Sequence, residues 1–114
     1  MQLERFRRLP LLGIVRGIDA HDVEPLAEAA IDAGLETIEI AMNTAGAPAL
    51  IRRMVAAGGS RLMVGAGTVL NVEALAAARD AGASFVVLPI LVREVVDAYD
   101  QEHRRKKSRR DQSR

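Results

Sequence analysis

Cysteine is absent from this sequence of 114 residues, which excludes disulfides, thiolate metal ligands and a cysteine nucleophile. Aromatic residues make up only 3%, so a core must be built from Ala, Val, Leu, Ile and Met. The N-terminal apolar run from Leu9 to Val15 is too short to cross a membrane, and no small-residue cleavage site follows it. A cytoplasmic location is therefore expected.

The residues that are present predict one globular domain with a different C-terminal segment. The chain is 49% hydrophobic and 27% charged. Residues 1–100 carry nine Lys/Arg and thirteen Asp/Glu, a net charge of −4, whereas residues 101–114 carry seven and two, a net charge of +5. We expect residues 101–114 to form a solvated, disordered basic tail. This tail could attract polyanions, but aromatics and recognition motifs are lacking, so nucleic acid is not an expected partner.

Apolar segments recur with a period of 24 residues. "AGLETIEI" begins at Ala33, "AGGSRLMV" at Ala57 and "AGASFVVL" at Ala81, and "LPLLGIVR" ends in phase at Arg16. The segments between them have helical patterns, with Asp19 or Asp22 and later Asn71 as candidate caps. A fourth helical pattern, "LVREVVDAYDQ", follows Pro89. Four apolar strands alternating with helices predict parallel (β/α) units, about half of an eight-stranded barrel.

Glu39 is anomalous because it lies between Ile38 and Ile40 in the most hydrophobic predicted strand. A carboxylate buried there without a partner is costly, and desolvation would raise its pKa towards the range useful for proton transfer. Two other interpretations stay open. Glu39 could face solvent on an edge strand, or it could pair with Arg16 or Arg61.

Other candidates also lie at the ends of predicted strands, where (β/α) barrels carry their function. Arg16 could hold a carboxylate or phosphate, or form a salt bridge at the rim. Asn43 and Thr44 suit a turn. "GAGT", from Gly65 to Thr68, could cradle an anion or form an ordinary turn, and it is not a GxGxxG fingerprint.

Neither histidine suggests a cofactor. His21 and His103 lie far apart in the sequence, and neither has metal-ligand spacing around it. No metal and no cofactor are therefore expected.

Taken together, "LPLLGIVRGI", "AGLETIEIAMNT", "VGAGTVLN" and "AGASFVVLPI" resemble, in order and spacing, the 2-keto-3-deoxy-6-phosphogluconate/4-hydroxy-2-oxoglutarate aldolase family. The resemblance covers residues 9 to about 98. It implies class I, Schiff-base aldolase chemistry on a (β/α)8 barrel and a homo-oligomer, usually a trimer. Within the family, the first two stretches are most similar to the branch that cleaves 2-dehydro-3-deoxy-6-phosphogalactonate to pyruvate and glyceraldehyde 3-phosphate.

The resemblance implies a role for five residues. Glu39 falls on the general acid/base glutamate, and Arg16 and Thr68 fall on residues that line the pyruvate end of the site. Pro89 matches the proline that helps to position the substrate carboxylate. Asn43 stands where the gluconate branch usually has an arginine and the galactonate branch an asparagine.

The chain departs from the family at its nucleophile. The family uses a lysine on strand six, in a segment like "KxFP", but residues 1–105 contain no lysine, and Lys106 and Lys107 lie in the basic tail. After strand four, "LPIL" replaces the usual pattern of Ser/Thr-Pro followed by Gly or Asn. We therefore expect a truncated or frameshifted aldolase that is inactive alone, or a half-barrel that assembles with a partner.

Overall fold

A computed structural model describes the backbone of residues 1–112 and the side chains of residues 1–105. The described residues form five α-helices and three β-strands in mixed order. The elements are α1 Leu3–Arg8, β1 Gly13–Val15, α2 Val23–Asp32, β2 Thr37–Ala41, α3 Ala47–Gly58, β3 Met63–Gly67, α4 Val72–Asp80 and α5 Arg93–Gln112. No helix in this part of the chain combines the length and apolar character that a membrane crossing needs.

The strands form one parallel sheet in the order β1-β2-β3. Glu39 of β2 lies opposite Ile14 of β1 and Gly65 of β3. Because side chains alternate along a strand, the residues next to Glu39 point to the other face. There Ile38 and Ile40 join the hydrophobic core.

The helices cover that other face because their apolar residues recur on one side. Buried positions of α2 follow the spacing i, i+4, i+7, and those of α3 follow i, i+3, i+4, i+7. Helix α2 packs on α3, and α3 packs on β2 and β3. The buried residues concerned are Val23, Ala27 and Ala30 in α2 and Ala47, Leu50, Ile51 and Met54 in α3.

The 24-residue repeat reflects the way in which helices end. Gly34 and Gly82 have φ values of +86° and +99°, which glycine adopts without strain. In both places the residue after the glycine donates a backbone hydrogen bond back into the helix, from Leu35 to Ala30 and from Ala83 to Ala78. After α3 the glycine with a positive φ is Gly59, one position later than the repeat predicts.

Two expectations need correction. The fourth strand is reduced to a bridge between Ala66 and Val86, since β3 is the one described strand beside this segment, which is soon followed by Pro89, a residue with no N–H to donate. The basic segment has a helical backbone to Gln112, where disorder was expected. Residues 93–112 contain neither Gly nor Pro and are rich in good helix formers. The side chains of Lys106 and Lys107, and residues 113–114, lie outside the described part, and the domain boundary at residue 100 stays a prediction.

Candidate active site

The parallel sheet brings several of the predicted site residues to one edge, the edge formed by the carboxyl ends of its strands. Val15 lies opposite Ile40, and Ile40 opposite Ala66, so Arg16, Asn43 and Thr68 all follow the carboxyl ends of neighbouring strands. The backbone bond from Met42 to Gly67, at 2.8 Å, ties two of these ends together. The adjacency follows from the register of the strands and does not depend on side-chain placement.

Glu39 is buried on the central strand, with 5% of its surface exposed. Its Oε2 atom has no hydrogen-bond partner among the described residues. Burial raises the pKa of the Glu39 carboxyl, and the nearby positive charge of Arg16 opposes this rise without cancelling it. The interpretation of Glu39 as a solvent-facing residue of an edge strand is therefore wrong.

Glycine at position 67 makes room for the carboxyl group of Glu39. A Cβ atom placed on Gly67 would lie 2.6 Å from Oε1 and 2.7 Å from Cδ of Glu39, closer than real Cβ atoms approach. Gly65 lies two residues before Gly67 on the same face of β3, and a Cβ atom placed on it would meet the ring of Phe85 at 2.4 Å. The two glycines of "GAG" thus accommodate a carboxyl group and an aromatic ring.

The remaining candidates have different surroundings. Arg16, Asn43 and Pro89 are exposed, and Thr68 is half-buried. Thr68 has a φ of +52°, a strained conformation for a β-branched residue and one that is often found at functional sites.

Arg61 precedes β3, at the opposite end of the sheet, where its carbonyl oxygen accepts a hydrogen bond from Arg5. A pair between Glu39 and Arg61 is therefore excluded.

Sequence reasoning missed two buried threonines, one in β2 and one in the turn after it. Thr37 lies two positions before Glu39 on the same face of β2, and its hydroxyl is also without a described partner. Thr44 was interpreted only as a turn residue, but it is buried and its hydroxyl accepts a hydrogen bond from the Gly17 amide. Threonine suits both a strand and a turn, so only the tertiary contacts distinguish these positions.

A small polar group also lies outside this site. The side chains of Asp19, His21 and Asp22 bring ligand atoms within 4.8 Å of one another in the short helical turn before α2. No metal-ligand spacing was expected around His21, yet the pattern Asp-x-His-Asp brings three side chains with potential ligand atoms together. All three residues are exposed, and such surface groups are common without an ion.

A parallel α/β sheet with a buried carboxyl group near the carboxyl ends of its strands is the arrangement of a (β/α) enzyme. The family model for KDPG and KHG aldolases matches residues 3–105, and this chain belongs to that family. The solved structure described as native KDPGal matches with a TM-score of 0.73 and 36% identity, over 78% of this chain and 43% of that one.

Curated relatives come from two branches of the family. The 2-dehydro-3-deoxy-6-phosphogalactonate aldolase of Escherichia coli is 36% identical over 78% of this chain and 43% of its own length. The 2-dehydro-3-deoxy-phosphogluconate aldolase of Pseudomonas aeruginosa is 43% identical over 73% of this chain and 36% of its own length. The chain therefore spans less than half the length of these two relatives.

Proposed function

We propose that this chain supplies the acid–base part of a class I, Schiff-base aldolase site that acts on phosphorylated 2-keto-3-deoxy sugar acids. Glu39 carries the proposal, because its buried carboxyl without a described partner has a raised pKa at the functional edge of the sheet. Because its pKa is raised, this carboxyl holds a proton more readily than an ordinary carboxylate and can both give and take one. Because the chain belongs to an aldolase family, the proton transfer proposed for Glu39 is part of an aldol cleavage.

The steps up to carbon–carbon bond cleavage require proton transfer at two stages. When a lysine amine attacks the keto carbon, the carbonyl oxygen takes up protons and leaves as water, giving an iminium ion. When the carbon–carbon bond then breaks, the hydroxyl of the departing fragment loses a proton and becomes an aldehyde, while the bonding electrons pass into the iminium. Glu39 is proposed as the group that gives and takes these protons.

The neighbouring residues are proposed to bind the substrate. Arg16 and Thr68 would line the pyruvate end, and Pro89 would help to position the carboxylate. Asn43, in the turn after β2, is proposed to favour the galactonate substrate, because the galactonate branch of the family has an asparagine where the gluconate branch usually has an arginine. The alternative is the gluconate/4-hydroxy-2-oxoglutarate branch, to which several similar curated proteins belong.

We propose that the amine comes from another polypeptide segment, because residues 1–105 contain no lysine and Lys106 and Lys107 lie in the basic segment, outside any predicted strand. We therefore expect the 114-residue chain to be inactive alone and active only in an assembly in which another polypeptide segment supplies the lysine. Trapping with borohydride and pyruvate, followed by mass spectrometry, tests the first part. A pyruvyl adduct on a lysine of the isolated chain would contradict it.

Fragment complementation tests the positive part. The chain is co-expressed with the portion of the E. coli 2-dehydro-3-deoxy-6-phosphogalactonate aldolase that it does not match, and pyruvate release is followed with lactate dehydrogenase. We expect release from the assembled pair, and at least a hundredfold less from the pair that carries Glu39→Gln, as is typical when a general acid/base is removed. An assembled pair that the substitution leaves fully active would rule out the role of Glu39.

A second candidate function is a non-catalytic half-barrel that associates with another copy. Among the described residues, strand β1 pairs only with β2, and Ile14 is 62% exposed although it lies opposite the buried Glu39. An open edge beside exposed apolar surface favours association. Light scattering would measure the molar mass of the wild type and of Glu39→Gln. An assembly that Glu39→Gln leaves intact would show that association does not depend on the proposed catalytic residue.

A further inference from the structure

The hydroxyl of Thr44 joins the segments that follow two neighbouring strands. It accepts a hydrogen bond from the backbone N–H of Gly17 at 3.3 Å, although the two residues are 27 positions apart. Thr44 is 8% exposed, so water competes little for this bond. The turn after β2 is thereby attached to the turn after β1.

Thr44 is itself held in place from both sides. Its N–H donates to the carbonyl of Ala41 at 3.0 Å, and its own carbonyl accepts from the N–H of Ala47 at 3.1 Å. Ala41 is the last residue of β2 and Ala47 is the first of α3. The position of the hydroxyl is therefore fixed by the sheet and the following helix.

The bond acts on Arg16 through the peptide plane. The N–H of Gly17 and the carbonyl of Arg16 belong to one planar group, so anchoring that N–H fixes the direction in which the chain leaves β1. Gly17 has a φ of +62°, a conformation available to glycine that turns the chain away immediately afterwards. The backbone of Arg16 is thus held between a strand and an anchored peptide.

We propose that Thr44 is a positioning residue, whose hydroxyl fixes the Arg16–Gly17 peptide and so holds the Arg16 guanidinium near Glu39 at the edge where an anionic substrate group would bind. The identity of that anion as a keto acid carboxylate rests on the proposed aldolase function. The positioning of Arg16 does not, so the two can fail separately.

The titration of Glu39 reports the position of Arg16, because the positive charge of Arg16 opposes the rise in the pKa of that carboxyl. The carboxyl carbon signal of Glu39 is assigned with Glu39→Gln and followed by NMR against pH in the 114-residue chain, without pyruvate or substrate. Thr44→Val removes the acceptor at nearly constant shape, and Thr44→Ser keeps it. Arg16→Gln removes the charge, and a double variant combines the two changes.

We expect Thr44→Val and Arg16→Gln each to raise the titration midpoint of Glu39 by about half a pH unit, since the attraction of an exposed charge is screened. Thr44→Ser should restore the wild-type midpoint, and Thr44→Val should add nothing to Arg16→Gln. A wild-type midpoint in Thr44→Val, no effect of Arg16→Gln, or additive effects in the double variant would each overturn the proposal.

If Thr44→Val does not fold, the rate of hydrogen exchange at the Gly17 amide provides a second test of the bond to Thr44. This amide should exchange slowly in the wild type and in Thr44→Ser, and at least tenfold faster in Thr44→Ala. Exchange at the rate of an exposed loop in the wild type would overturn the proposal. Neither experiment uses an aldolase assay, so failure of fragment complementation leaves both readouts intact.

Discussion

Glu39 and Thr37 lie on the same face of β2, and both carry a buried polar atom without a described partner. Such atoms cost about 1–3 kcal/mol each, and a charged one costs more. The Thr37 hydroxyl is neutral at every accessible pH, whereas Glu39 can lower its cost by binding a proton. The raised pKa of Glu39 is therefore the local response to burial, and it makes the stability of the fold depend on pH.

We predict that Glu39→Gln stabilises the chain at neutral pH by about 1–2 kcal/mol. The pKa of Glu39 is raised in the folded state, so the carboxyl favours folding most below the pKa of the unfolded chain. That contribution is lost as pH rises through the folded-state pKa. Urea unfolding of both proteins at pH 4.5, 6 and 7.5 would measure the difference, which should grow with pH.

Glu28→Gln is the matched control for this prediction, because Glu28 is an exposed carboxylate on α2. Its effect should stay within about 0.5 kcal/mol at each pH. If Glu39→Gln proved less stable than the wild type at pH 7.5, the ionised carboxylate would have to be stabilised in the folded state, and the assignment of Glu39 as a costly buried acid would be wrong.

Gly67→Ala should displace the Glu39 carboxyl, since the new Cβ would lie 2.6 Å from its Oε1 atom. We expect a loss of about 1–3 kcal/mol from overpacking and a fall in the pKa of Glu39 towards its ordinary value as the group moves to water. Gly65→Ala, which meets the Phe85 ring instead, is the control. It should lower stability comparably while leaving the titration of Glu39 close to that of the wild type.

The sequence indicated a functional residue where a side chain does not suit its predicted secondary structure. It gave no such indication where the side chain suits a strand or a turn. Glu39 was found because a carboxylate contradicts an apolar strand, and burial with a raised pKa is confirmed by the structure. Thr44 suits a turn on local grounds, so nothing in the sequence indicated its bond to Gly17, 27 residues away. The strain at Thr68 likewise arises from tertiary structure, because threonine alone predicts no positive φ.

At the level of elements, the 24-residue repeat predicted the strands and helices from β1 to α4. It could do so because each strand–helix unit buries one apolar face. The cap at Asn71 is confirmed by a bond of 2.7 Å to the Ala74 amide. The fourth strand was predicted too strongly, since an apolar run does not reveal that its segment has few pairing partners. Helix α1 was missed because its six residues are too few to show a period.

Arg5 attaches α1 to the end of the sheet opposite the candidate site. Its guanidinium binds the Glu36 carboxylate at 2.8 Å and the carbonyls of Ser60 and Arg61 at 2.8 and 2.7 Å. We predict that Arg5→Ala costs about 1–3 kcal/mol in urea unfolding, because it leaves these acceptors partly unpaired. Arg7→Ala, which removes an exposed pair with Glu4, should cost at most about 0.5 kcal/mol. Equal effects would contradict a specific role for Arg5.

The whole molecule is more extended than its length requires. Its radius of gyration is 14.3 Å, against about 13.3 Å for a compact chain of this size. The 20-residue helix α5 accounts for part of the difference, since it contacts α4 and reaches about 30 Å. Among the described residues the three-stranded parallel sheet is open at β1, so this strand keeps an edge that a closed sheet would not have.

An open edge beside an exposed isoleucine should lead to self-association. We predict that the chain exceeds its monomer mass of 12.3 kDa in light scattering, increasingly so with concentration. Ile14→Lys should return it to the monomer mass, because a charge on an edge strand opposes pairing with another chain. Val72→Lys, a change at an exposed apolar residue of α4, is the control and should leave the mass unchanged. A wild-type chain that stays monomeric at all concentrations would show that Ile14 is exposed without binding another copy, and would contradict self-association through this edge.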